Sequence, residues 1–205
     1  VILRIDRKKF LLKIKYKMLL PIYTYGQPVL RKVAEDIPAN TPEVQQLISD
    51  MWETLYKCGS GIGLAAPQVG ESVRLFVIDL TIMEDDEHPE YKTFKRVFVN
   101  PHLVEEFGEE VTMEEGCLSI PGIGENVKRM SKVRMKYLDE NFEEHEDVFE
   151  DFIARVVMHE YDHLEGHVFT DRVSVIRRQL IKSKLESIAK GKVRCGYKIK
   201  KVEKR

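Results

Sequence analysis

Apolar residues first fall into a clear rhythm after Thr41 and Pro42, recurring at Val44, Leu47, Ile48, Met51 and Leu55. Those intervals place them on one face of a helix. Thr41 offers a capping hydroxyl, Pro42 suits the first helical position, and Gly59 can close the far end. A glycine-rich turn, GSGIGLAAPQVG, comes next, and the apolar run from Val73 to Leu80 then reads as a strand. An acid-rich loop over Met83–Lys95, containing Pro89, separates it from a short strand at Arg96–Val99. Between Ser131 and Leu138 the alternation is clean: Val133, Met135 and Tyr137 on one face, Lys132, Arg134 and Lys136 on the other. That pattern predicts a half-buried strand. Asp139-Glu140-Asn141 can turn it back into a partner ending near Glu150. A helix is predicted from about Phe152 to Glu165, capped by Asp151 and stopped by Gly166. A last amphipathic stretch, Ser174 to Lys190, carries Ile181, Leu185 and Ile188. Helix, then strands, then helices predicts an α+β fold rather than a doubly wound parallel sheet.

Length and charge refine this picture. With 205 residues, one domain with a substantial core suffices, read here as residues 18–190. No apolar run approaches the roughly 18–20 residues that cross a bilayer, so no membrane partner is expected. Cys58, Cys117 and Cys195 are too few and too scattered for a disulfide framework, which points to a reducing compartment, the cytoplasm by default. The net charge of −1 hides basic ends: residues 1–17 hold seven Lys/Arg against one acid, and residues 190–205 hold eight against one. The body between them, with 18 basic and 32 acidic residues, is strongly acidic. Residues 1–17 are too interrupted by lysine for a signal peptide. They read as an extension upstream of Met18 whose removal is expected to leave activity intact. Residues 191–205 read as a basic tail. Such charge blocks are solvated segments or contacts for a polyanion such as RNA; no DNA partner is expected.

The strongest chemical signal is His159-Glu160-Tyr161-Asp162-His163. Positions four apart share a helix face, so both imidazoles can reach one ion. Phe152, Val156, His159 and His163 continue one apolar stripe, which would shield that ion. Glu160 is turned by roughly 100° from His159, where it flanks the ion as a general base. Two histidines leave a catalytic site short of a third protein ligand. In the metzincin pattern HExxHxxGxxH, Gly166 fits, but the last position is Phe169 and His167 is misplaced by two. Upstream, Cys117 follows glycine at the end of a predicted strand and offers a thiolate. A buried structural thiol and a thiol nucleophile with His159 or His163 as base remain alternatives. A closed structural metal site would need Cys58 or Cys195 to join.

GIGLAAPQ (61–68), EGCLS (115–119) and HEYDH (159–163) occur in that order. Together they resemble the three signature motifs of the peptide deformylases, and the likeness covers about Met18 to Lys190. The run EGCLSIPG and a C-terminal helix resemble the bacterial type 1 branch. The resemblance implies antiparallel β-sheets packed around a central metal-binding helix, with an additional C-terminal helix. It implies a metal held by Cys117, His159 and His163, with Glu160 as general base. The Gln68 side-chain amide and the Leu118 backbone N–H would stabilise charge on the formyl oxygen. Gly61 and Gly63 would let an extended peptide approach the backbone, and Ile62, Gly63, Glu115, Gly116 and Val156 would surround the methionine. The substrate implied is the N-formyl group of a formyl-methionyl nascent peptide. The implied metal is ferrous iron, although zinc, nickel and cobalt accept the same donors. Relatives of this type dock a C-terminal helix on the ribosome near the exit tunnel. A metallopeptidase using the same HExxH helix is the alternative. Two positions depart from the usual pattern: many relatives have glycine at Asp151 and glutamine at Met158.

Overall fold

The structure, a computed structural model, describes residues 18–59, 61–83 and 87–200; the extension 1–17 lies outside them. Helix α1 spans Pro42–Cys58, with the Thr41 side chain accepting from the Val44 amide and Gly59 in the left-handed region at φ 80°. Five strands follow: β1 Gly63–Ala65, β2 Leu75–Asp79, β3 Lys95–Cys117, β4 Ile120–Leu138 and β5 Glu144–Glu150. They form one antiparallel sheet in the order β1-β2-β3-β4-β5. Helix α2 spans Asp151–Leu164 and helix α3 Val175–Ala189. The α+β expectation is met.

The sheet is covered on both faces where β2 lies, and all five of its residues are buried. Phe76 and Ile78 face a core shared with Val133, Met135, Tyr137 and Phe149 and with Ala154, Val157 and Met158 of α2. Leu75 and Val77 face the other way, against Ile48, Met51 and Leu55 of α1. A two-sided position explains why this strand is a continuous apolar run. Ile181, Leu185 and Ile188 of α3 form a third cluster with Ile120, Val127 and Phe169.

Three sequence expectations are corrected. The strand at Arg96–Val99 extends to Cys117, and Ser131–Leu138 is the second half of a 19-residue strand. The extra length was invisible because much of β3 from His102 to Glu114 is exposed on both faces, so its charges show no alternation. Asp151 is also not the cap. Glu150 occupies that position without a side-chain bond, and Asp151 starts the helix at φ 50°. β5 runs directly into α2, so the chain must reverse through a left-handed residue. Aspartate tolerates this better than most side chains, and glycine better still. At the other end, Gly166 at φ 74° stops α2 as predicted, with the His167 amide bonded back to the Asp162 carbonyl.

Beyond α3 the chain returns across the body. The Ile22 amide donates to the Lys198 carbonyl and the Lys200 amide to the Ile22 carbonyl, at 2.9 and 2.8 Å. Tyr197 packs on the α1 side of the core and Val193 on the α3 cluster.

Candidate active site

Two elements meet at the site. Helix α2 presents His159 and His163 from its buried face, while the tight corner between β3 and β4 presents Cys117, paired across it with Ile120. The three donor atoms lie within 4.8 Å of one another. Donors this close can share one divalent ion, whose bonds to cysteine and histidine are about 2.0–2.3 Å. Cys117 Sγ stands 3.3 Å from His163 Nε2. Burial alone would raise this thiol, but His163 and His159 bring it down to about 5, giving the thiolate that metals bind. Neither Cys58 nor Cys195 joins the cluster among the described residues, so the site is open rather than closed by four protein ligands. Phe169, at the third-ligand position of the metzincin pattern, instead stacks on the His159 ring.

Glu160 is buried, and its Oε2 has no hydrogen-bond partner among the described residues. Burial pushes its carboxyl up to about 7, suited to exchanging protons near neutrality. Gly63 is required beside it: a Cβ there would come 2.4 Å from Glu160 Oε1. At Gly61, by contrast, an added Cβ meets only the ends of the Leu55 and Leu118 side chains. Gln68 is held by the Ala65 amide, which donates to its Oε1 at 2.8 Å. Its Nε2 reaches Cys117 Sγ at 3.4 Å and Ser119 Oγ at 3.3 Å. These residues line a cavity of about 660 Å³ together with Ile62, Leu118, Glu115, Gly116 and Val156. Cys117, His159 and Glu160 line the same cavity, and His163 lies behind it against Cys117.

The role of Glu115 is richer than its motif suggested. Its carboxylate is fully engaged by Arg129 (2.7 and 2.9 Å), Arg155 (2.9 Å) and His159 Nδ1 (2.8 Å). Arg129 continues to Asp162 at 2.8 Å, and Arg172 closes on Asp162 from outside. Burial would raise both carboxyls, but Arg129 and His159 hold Glu115, and Arg172 and Arg129 hold Asp162, below the usual carboxylate range. The bond to Nδ1 fixes the His159 ring and leaves Nε2 for the ion. Arg129, Arg155, Asp162 and Arg172 were missed from sequence. A signal existed, since Arg155, His159 and Asp162 are spaced four and three apart on the buried face of α2.

An HExxH helix, a thiolate third donor and an open position beside a buried acid define a metal-dependent hydrolase. The profile described as "Polypeptide deformylase" matches residues 19–179. A peptide deformylase of Christiangramia forsetii is 48% identical over 189 residues, covering 89% of this chain and 96% of that one. Among solved structures, a peptide deformylase from Legionella pneumophila superposes with TM-score 0.73 at 36% identity, covering 86% of this chain and 99% of that one. Peptide deformylase 1B of Arabidopsis thaliana, bound to an inhibitor, gives 0.75 at 33% identity over 84% of this chain and 92% of that one. The chain belongs to the polypeptide deformylase family. Among the described residues, no helix is long and apolar enough to cross a membrane.

Proposed function

We propose that this enzyme removes the N-formyl group from the methionine at the start of newly made polypeptides, releasing formate and a free amine. The observation that carries this is the convergence of Cys117 with His159 and His163, two of which, Cys117 and His159, line the cavity of about 660 Å³ together with Glu160. A divalent ion bound by that triad supplies Lewis acidity and a water that ionises near neutral pH. Glu160 Oε2 takes the proton of the attacking water and returns it to the departing amine nitrogen, so one carboxylate serves both half-reactions. The Gln68 amide and the Leu118 backbone N–H steady the charge that builds on the formyl oxygen, each worth about 3–4 kcal/mol in comparable sites. Ile62 and Val156 enclose the methionine side chain. An HExxH metallopeptidase is not favoured, because the third donor is a cysteine and the downstream ligand position is Phe169.

In this reading the catalytic machinery lies within residues 18–190 and the enzyme works in the cytoplasm, consistent with three free thiols. The resident metal is ferrous iron, which metal analysis of protein purified without oxygen tests; predominant zinc would refute it. The ribosome is a partner through α3, whose Val175, Ile176 and Leu180 are exposed without serving the core. Product analysis on a formyl-Met peptide tests the reaction itself. Stoichiometric formate with the peptide chain intact is expected, whereas internal peptide cleavage would overturn it.

A further inference from the structure

The segment after α3 forms part of the active-site cavity, although the family match ends at residue 179. Arg194, Cys195 and Tyr197 line the same cavity as Cys117 and Glu160. From Lys192 to Lys200 exposure alternates strictly: Val193, Cys195, Tyr197 and Ile199 are half-buried while the residues between them are exposed. This alternation marks an extended segment laid on a surface. Three bonds hold it there. Two are the backbone bonds on either side of Ile22, and the third runs from the Tyr197 hydroxyl to the Leu118 carbonyl at 2.7 Å. Leu118 belongs to the same corner as Cys117, so the segment is anchored to the catalytic corner itself.

Arg194 stands at the mouth of this cavity. The other arginine lining it, Arg155, is buried and occupied by Glu115 and by the Val127 and Val111 carbonyls. Arg194 is exposed and has no ion pair or hydrogen bond among the described residues. A guanidinium free at the rim of a peptide cavity matches a carboxylate in geometry and charge. We propose that residues 193–199 are a wall of the substrate site and that Arg194 selects polypeptides with an acidic side chain within the first few residues after formyl-methionine. This rests on the deformylase reading above.

The test uses the full-length, metal-loaded enzyme and formyl-Met peptide amides in which glutamate, glutamine or lysine occupies the second, third or fourth position. Amidation removes the terminal carboxylate, and a matching set of free acids shows whether that group alone is recognised. Wild-type kcat/KM is expected to favour glutamate over lysine several-fold at one position. Arg194→Gln should abolish that preference and Arg194→Glu should invert it. Because each preference is a ratio within one enzyme preparation, partial misfolding cancels. Equal ratios in all three proteins, or discrimination confined to the terminal carboxylate, would overturn the assignment of side-chain selectivity to Arg194. Absence of formate from every peptide would instead sink the deformylase reading.

Discussion

Helices α2 and α3 are nearly equal in length, yet they use their residues in opposite ways. In α2, ten of 14 residues are buried, and five of these are Arg155, His159, Glu160, Asp162 and His163. In α3 only Ile181, Leu185 and Ile188 are buried out of 15, and Val175, Ile176 and Leu180 point to solvent. Buried positions recur at helical spacing in both, but the stretch predicted to be amphipathic is only weakly so in α3, because Val175, Ile176 and Leu180 place apolar side chains outside its buried face. The difference lies in what is placed against its usual preference. Buried charge is costly unless paired or put to chemical use, and in α2 it gathers around the metal donors. Exposed apolar surface is the corresponding feature of α3, and the proposed ribosome contact rests on it.

The comparison breaks most visibly at a metal donor. Cys117→Ala should eliminate bound metal and formate release together, down to background, while circular dichroism shows the fold retained. Substitutions on the outer face of α3 should change neither. Metal retained at full stoichiometry in Cys117→Ala would show that the corner does not supply the third ligand.

Next in size is the charge network. Glu115→Ala leaves Arg129, Arg155 and His159 Nδ1 without their shared partner. Breaking a buried ion pair from one side costs about 3–5 kcal/mol, and losing the group that orients a histidine ligand weakens metal binding by about 10–100-fold. Urea unfolding and a metal-competition titration measure the two effects separately. The same carboxylate sets a pH dependence. Glu115 and Asp162 have pKa values lowered on folding, so their stabilisation is fully present above the unfolded values of about 3.9–4.3 and is lost as pH falls towards the folded ones. Thermal unfolding should therefore occur at progressively lower temperature as acid is added below about pH 4, with a shallower slope in Glu115→Ala. Identical slopes would remove Glu115 from the account.

Smaller effects sharpen the picture of α3. Leu185→Ala empties a buried site and should cost about 2–5 kcal/mol. Leu180→Asp, five residues away on the exposed face, should stay within about 0.5 kcal/mol yet reduce co-sedimentation with ribosomes. Undiminished co-sedimentation would leave the exposed apolar face of α3 without its proposed partner.

The boundaries of α1, the inward set Val133, Met135 and Tyr137, and the metal-binding helix were legible because each combines a strict period with one buried face. The donors on α2 could be read from geometry, while Cys117 needed the wider motif pattern, since its approach to the histidines depends on a long-range corner. The outer hairpin was hidden because much of its β3 arm is exposed on both faces, while the buried face of its β4 arm carries the charged Glu125 and Arg129 beside Ile123 and Val127. Its register is set by pairing between Glu105–Cys117 and Ile120–Arg134, which local sequence does not display. Arg129 was hidden for the opposite reason: a charged residue on a strand reads as exposed, yet here it is buried between Glu115 and Asp162. The segment 193–199 read as a basic tail, because its half-buried Val193, Cys195, Tyr197 and Ile199 are separated by exposed Arg194, Gly196 and Lys198.

The central claim is that α2 and the β3–β4 corner together make a hydrolase with Glu160 as its proton carrier. Formate release from a formyl-Met peptide, compared between iron-loaded wild type and Glu160→Gln with metal content assayed on the same samples, tests it most directly. Equal metal and a rate lowered about 10²–10⁴-fold in the variant are expected. Wild-type rates from Glu160→Gln at full metal occupancy would contradict that claim.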